Sequence, residues 1–285
     1  MEILRSPGMV REALLPQIMR GRSVGLVPTM GALHEGHMSL VRNSTMECDI
    51  TVVSIFVNPT QFAPGEDMDK YPSDPDGDIS KLREAGVDIL FMPTSDTMYG
   101  KGHESFVDVG PIAAKLCGAF RPTHFRGVAT IAAKLFNIAS PTRAYFGQKD
   151  YQQCQVLMNM VRDLNMPVDI VVCPTVREPD GLAMSSRNAY LSPIERKAAP
   201  ILYKALSEAS ELLRQGGATP KDAKKKMEEM LGAELHVSEV QYIGCYDSET
   251  LDWLEEFKGR ALLAGAIMIG STTTTRLIDN VLVYP

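Results

Sequence analysis

The segment VPTMGALHEGHMSL, residues 27–40, places His34 and His37 three positions apart with Gly36 between them, in a chain that has five histidines. A short apolar run, residues 24–27, precedes it and stops at Pro28. Gly31 and Gly36 permit close approach of a ligand to the backbone. The first turn of a new helix offers unpaired N–H groups to an anion. Residues three apart on such a turn share a face, so two imidazoles there suit a phosphate whose charge grows in a transition state. Two plainer readings compete: surface histidines beside a turn, and a zinc site. The spacing H-E-G-H is one residue short of H-E-x-x-H, and no Cys/His pair completes a zinc set.

Three further polar clusters follow strand-like runs or sit in linking loops. FVNPTQF, residues 56–62, carries Asn58 and Gln61. These uncharged amides suit the hydroxyl and carboxyl groups of a small polar substrate, although Asn-Pro is equally a turn pair. FGQKDYQQ, residues 146–153, sets Lys149 at a strand-to-helix turn as a mobile point charge, Asp150 as a helix cap, and Gln153 near the same opening. DGLAMSSRN, residues 180–188, brings Ser185, Ser186 and Arg187 after a glycine turn. Hydroxyl donors and a guanidinium fork together suit a polyphosphate. A plain capped helix and a turn-rich linker would account for the last two taken singly. All four clusters fall where an open α/β sheet takes its ligand, beyond the carboxyl ends of its strands.

The elements that must position them are legible as alternating patterns. Strand-like SVGLVPT, DITVVSIFVN, VDILFMP, RAYFGQKD and VDIVVCP are interleaved with helix-patterned EGHMSLVRNSTMEC, DPDGDISKLREAG, GVATIAAKLFNIAS and YQQCQVLMNMVRDLN. DITVVSIFVN is a continuous β-branched run, as expected of a parallel strand buried on both faces. Repeated β-α-β with short links predicts an α/β fold, a Rossmann-like doubly wound parallel sheet over residues 1–176. Thereafter two helical stretches, residues 192–215 and 219–232, precede strand-like SEVQYIGCYD, RALLAGAIMIG and TTRLIDNVLVY. That grouping predicts a smaller α+β domain over residues 177–285, with its boundary in the polar turn TVREPDG.

Composition narrows the class. The 285 residues, 45% hydrophobic, suffice for one large or two moderate domains. A net charge of −6 with both signs intermixed argues against a nucleic-acid surface. ALLAGAIMIG, the longest apolar run, is well short of a membrane span, and charges among the first 17 residues argue against a signal peptide. Five scattered cysteines without a C-x-x-C pair read as reduced thiols of a cytoplasmic protein. No G-x-G-x-x-G follows the first strand-like run, which disfavours a NAD dehydrogenase. A nucleotidyltransferase with a dinucleotide product and a non-catalytic nucleotide-binding protein both stay open.

PTMGALHEGH resembles the H-I-G-H element of the nucleotidylyltransferase superfamily, and MSSRN resembles its K-M-S-K-S-type loop. Together with FVNPTQF, HFRGV, FGQKDYQQ, DGLAMSSRN and RLIDN, the set is similar to the pantothenate synthetase (pantoate–β-alanine ligase) family through nearly the whole chain. The resemblance implies ATP-dependent joining of pantoate to β-alanine through a pantoyl adenylate, with Mg²⁺, in a homodimer with a C-terminal lid. ATP would lie along Met30, Gly31, Ala32, Leu33, His34, Glu35, Gly36 and His37, with His37 the proton donor. Gly147, Gln148, Lys149 and Asp150 would form the second nucleotide segment, with Val176 beside the adenine. Met184, Ser185, Ser186 and Arg187 would close over the phosphates. His34, His37, Lys149 and Arg187 are then the catalytic donors and cations. Gln61 and Gln153 would hold pantoate, Gln61 would also neighbour β-alanine, and Tyr71 and Asn58 would belong to the substrate pocket. Two departures stand out. Gly77 replaces one of two acidic residues that the family associates with magnesium, leaving Asp78 as the metal candidate, and Gln148 stands where Glu is frequent.

Overall fold

The run Ile50–Ile55 is buried at its first five positions and forms a strand paired on both sides, as its β-branched residues, interrupted only by Ser54, lead one to expect. The computed structural model describes residues 1–284 apart from Pro64, Thr272 and Thr273. In chain order the elements are β1 (Glu2–Leu4), α1 (Pro7–Ile18), β2 (Val24–Thr29), α2 (Glu35–Glu47), β3 (Ile50–Ile55), α3 (Pro75–Glu84) and β4 (Ile89–Phe91). Then come α4 (Ser95–Met98), α5 (Cys117–Phe120), α6 (His124–Ala139), β5 (Arg143–Gly147), α7 (Tyr151–Asp163) and β6 (Asp169–Cys173). The series closes with α8 (Pro193–Ala198), α9 (Ile201–Arg214), α10 (Pro220–Gly232), β7 (Val237–Asp247), β8 (Ala261–Ile269) and β9 (Thr275–Val283).

The chain forms two units. The first comprises Met1–Ala114, Arg121–Gln148 and Gln153–Pro174; the second comprises Lys115–Phe120, Lys149–Gln152 and Thr175–Pro285. The sequence boundary at 176/177 thus moves by two residues, and two earlier segments, one of them the Lys149 turn, join the second unit.

The first unit is a six-stranded parallel sheet in the order β1-β4-β3-β2-β5-β6. From β2 the chain runs outward through β3 and β4 on one side, and β5 and β6 fill the other. The order therefore reverses between β2 and β5, the position where doubly wound sheets open a ligand crevice. Val27, Val41, Val53, Leu82 and Leu90 share one core. The segment after β2 is fixed to that core by Leu33. Sequence patterning does not anticipate β1 or α1: a three-residue edge strand carries too little alternation to register.

The second unit is a three-stranded antiparallel sheet, β7-β8-β9, with α9 and α10 contributing to its core. Leu202, Ala205, Leu206, Ala209 and Leu213 recur at three- and four-residue spacing along α9, which gives the helix one apolar face. The single helix expected over residues 192–215 is broken into α8 and α9 at Pro200. Proline lacks the N–H the ladder needs, and its ring crowds the carbonyl four residues back. Among the described residues no helix is long and apolar enough to cross a membrane.

Gly127 connects packing to the site described below. A Cβ there would lie 2.3 Å from the Thr60 carbonyl oxygen and 2.7 Å from the Gln61 nitrogen, both backbone atoms that cannot rotate away. Gly127→Ala should therefore destabilise the protein by about 1–3 kcal/mol through overpacking. Gly232→Ala, where a Cβ meets nothing within 4 Å, should be neutral or slightly stabilising. Urea denaturation of the two variants checks the contrast; equal midpoints would refute it.

Candidate active site

Strand β2 ends at Thr29, and residues 30–34 turn the chain into α2. Gly31 (φ +88°) and Ala32 (φ +51°) make that turn in the left-handed region, which alanine rarely enters. His34 stands at the N-cap of α2, and its Nδ1 accepts the Gly36 N–H at 3.2 Å. His37 reaches back, and its Nδ1 accepts the His34 N–H at 3.4 Å. The two rings lie 4.1 Å apart, tilted by 39°. A neutral imidazole whose Nδ1 accepts carries its proton on Nε2. Both rings are therefore set as Nε2–H donors at a helix N-terminus. Glu35, between them, is exposed and pairs with Arg42.

The turn is held from below by α3. Asp78, 1% exposed, accepts the Ala32 N–H at 2.8 Å on Oδ2 and the Leu33 N–H at 2.7 Å on Oδ1. Lys81, one turn along α3, donates to the Leu33 carbonyl at 2.7 Å. The resemblance puts Asp78 at a metal; the structure commits both its oxygens to backbone amides. At Gly77 an added Cβ would fall 2.1 Å from the Asp74 carboxylate, which caps α3 by accepting the Gly77 N–H.

Beyond β3 the chain makes a short 3₁₀ turn, Pro59–Gln61, capped by Asn58. Asn58 is 1% exposed and fully engaged. Its Oδ1 accepts from the Thr60 N–H, the Thr60 hydroxyl and the Tyr99 hydroxyl, and its Nδ2 donates to Gln61 Oε1 and the Gly127 carbonyl. Burial pushes the Tyr99 phenol above its ordinary value, against the hydrogen bonds to Thr60 and Asn58, so the donor stays protonated. The sequence assigns Asn58 to the substrate, yet its amide is occupied in setting Gln61. Gln61 Nε2 in turn lies 2.9 Å from Met30 Sδ, which joins this motif to the histidine turn. Tyr71 packs edge-on against Phe62.

The backbone of Gln61 is held by residues that sequence reading passes over, although HFRGV lies among them. Its carbonyl accepts from Arg121 at 3.2 Å and lies 2.9 Å from His124 Nδ1. Arg121 grips Glu66 with a two-pronged ion pair at 2.6 and 2.5 Å. Burial pushes the Glu66 carboxyl up, but the hydrogen bond and charge of Arg121 outweigh it and hold the group below its usual range. At the end of β5, Gly147 pairs with Cys173 of β6, and its carbonyl lies 3.5 Å from Cys154 Sγ. Gln148 follows in the turn, and Gln153 is half-buried on α7.

In the second unit, Lys149 lies 3.7 Å from Asp150, and its carbonyl accepts from Asn280 at 3.0 Å. Val176 and Met184 are adjacent across a small hairpin, with the Met184 N–H donating to the Val176 carbonyl. That hairpin is anchored by Arg177, which donates to both Asp279 oxygens at 2.6 and 2.9 Å and stacks 3.6 Å over Tyr203. Ser185 accepts the Arg187 N–H and so caps the turn Ser186–Tyr190 that carries Ser186 and Arg187. Arg177, Asp279 and Asn280 thus hold two expected nucleotide segments. The segment RLIDN is legible in the sequence, but these partners of Asp279 and Asn280 lie more than 100 residues away.

The Glu66 ion pair gives a pH test. The pair's contribution is complete above the ordinary carboxyl value of 4.5 and is lost as pH falls through the lowered folded value. Arg121→Met should cost about 1–3 kcal/mol at neutral pH, and its difference from the parent should shrink below pH ~4. Urea titrations at several pH values measure this. A difference that is unchanged in acid would contradict the pair's role.

The sequence model described as pantoate-beta-alanine ligase matches residues 2–282. The pantothenate synthetase of Thermodesulfovibrio yellowstonii is 53% identical over 283 residues, covering 99% of this chain and all of that protein. That of Acetivibrio thermocellus is 50% identical, covering 99% of each chain. Among solved structures, the pantothenate synthetase of Thermus thermophilus superposes with a TM-score of 0.92 at 46% identity, with both chains fully covered. A Francisella tularensis pantoate-beta-alanine ligase, solved with beta-gamma ATP and beta-alanine, gives 0.78 at 34% identity, covering 99% of this chain and 97% of that one. With its histidine turn at the switch point of a parallel sheet and this similarity along its whole length, the chain belongs to the pantoate–β-alanine ligase family, the pantothenate synthetases.

Proposed function

We propose that the chain condenses (R)-pantoate with β-alanine in two steps. The pantoate carboxylate attacks the α-phosphorus of ATP, forming pantoyl adenylate and expelling pyrophosphate. The β-alanine amine then attacks the acyl carbon, expelling AMP and losing a proton to give pantothenate. The observation that carries this reading is the pair of Nε2–H imidazoles at the start of α2, where the sheet order reverses. The first step needs no protein nucleophile, because the substrate supplies one. It needs two anions brought together and charge on the phosphates stabilised. His34 and His37 supply neutral donors for this, and Lys149 and Arg187 supply positive charge. Gln61 is the amide suited to pantoate and β-alanine, since Asn58 fixes its side chain and Arg121 its backbone. Gln153 is the second pantoate ligand of the same reading.

Magnesium does not fit a resident site at Asp78. A hard cation needs several oxygen ligands. Gly77 offers no side-chain donor, and Asp78 is committed to two amides. Among the described residues no three His, Cys, Asp or Glu side chains lie together to form a protein cage for a cation. Mg²⁺ enters this reading only as the counter-ion of the ATP phosphates. A cytoplasmic homodimer completes it. The five scattered cysteines, without a C-x-x-C pair, are compatible with a reducing compartment.

Labelled pyrophosphate should exchange into ATP when pantoate is present and β-alanine absent. His37→Ala should lower that exchange by about 10²–10³-fold, the cost of one preorganised donor. Exchange that requires β-alanine, or release of ADP, would rule out the adenylate route.

A further inference from the structure

The turn that carries the two histidines is not self-supporting. Gly31 and Ala32 are successive left-handed residues, and a non-glycine residue there costs about 1–2 kcal/mol. The two amides that follow converge on one buried carboxylate, that of Asp78. The fit is close on every side. A Cβ added at Gly31 would meet Asp78 Oδ2 at 3.2 Å and Ile55 at 3.1 Å. Lys81 closes the arrangement. Its ammonium donates to the Leu33 carbonyl at 2.7 Å and stands 4.0 Å from Asp78 Oδ1. The carboxylate is thus satisfied by two N–H donors and faces a fixed positive charge from its own helix. A divalent ion at Asp78 would have to reach a carboxylate that is 1% exposed and already accepts from two amides, and it would meet the Lys81 charge.

We propose that Asp78 and Lys81 form a metal-independent clamp on the nucleotide turn, with the Lys81 ammonium supplying the positive charge that a bound divalent cation would otherwise bring to Asp78. Both are positioning residues: Asp78 fixes the Ala32 and Leu33 amides, Lys81 fixes the Leu33 carbonyl, and together they set where His34 caps α2. Their effect on catalysis rests on the reading of residues 30–37 as the ATP segment. Their effect on metal binding does not.

The test has two arms. In the first, Mn²⁺ is titrated into the nucleotide-free protein and free Mn²⁺ is followed by electron paramagnetic resonance. The clamp predicts no stoichiometric uptake at Asp78, so wild type and Asp78→Asn should leave the same free signal. One Mn²⁺ bound by wild type and lost in Asp78→Asn would overturn the proposal. In the second arm, Asp78→Asn and Lys81→Met should each lower kcat/KM for ATP, by about 10²-fold for a misplacement near 1 Å. KM for pantoate should hold, the Mg²⁺ optimum should track the ATP concentration as in wild type, and Lys81→Arg should recover most of the loss. Unchanged kcat/KM for ATP in both variants, or recovery of Asp78→Asn by excess Mg²⁺, would overturn it. Should a variant fail to fold, the Mn²⁺ titration of wild type still decides. Wild type that binds ATP but releases no AMP with pantoate and β-alanine would instead count against the functional reading and leave the metal arm intact.

Discussion

The start of α2 is closed by two imidazole nitrogens, where most helices use a hydroxyl or a carboxylate. The choice has an electrostatic consequence. A carboxylate cap would place negative charge where the helix N-terminus otherwise attracts an anion. An imidazole accepts the backbone N–H on Nδ1 while remaining neutral, and its Nε2–H stays a donor. One interaction therefore does two things: it ends the helix, and it selects the tautomer that can face a phosphate. The rest of the first unit is arranged around that pair. The β2 strand delivers the turn, Leu33 anchors it in the core, and Asp78 holds its amides.

A second chain of constraints runs through Gln61. Its side chain is set by Asn58 and touches Met30, and its carbonyl is gripped by Arg121 and His124. Asn58 is itself fixed by Tyr99, Thr60 and the Gly127 carbonyl. Such a fully satisfied buried network is rigid because any member that turned away would leave another unpaired. The second unit repeats the principle. The bidentate grip of Arg177 on Asp279 and the bond from Asn280 to the Lys149 carbonyl fix two segments far apart in sequence.

Local patterning made much of this legible. The apolar run of β2 and the β-branched run of β3 announce buried parallel strands, and the three-residue spacing of His34 and His37 announces a shared helical face. The spacing alone did not reveal that the histidines face each other as reciprocal caps, since that depends on where the helix begins. Pro200 was a readable break inside the helix expected over residues 192–215, and the apolar periodicity on both sides masked it. Asn58 and Asp78 show the other limit. Their partners include Tyr99, Gly127, Ala32 and Leu33, between 41 and 69 residues away. A polar residue beside a motif looks the same in sequence whether it meets a ligand or a distant backbone, and only the fold distinguishes the two.

The most direct measurement is the tautomeric state of the two imidazoles, read from the ¹⁵N resonances of histidine-labelled protein at mildly alkaline pH and assigned with His34→Asn and His37→Asn. The reciprocal cap predicts a proton-free Nδ1 and a protonated Nε2 on both His34 and His37 before any nucleotide is added. A protonated Nδ1 on either ring would contradict the account, because that nitrogen could then no longer accept the backbone N–H on which the start of α2 depends.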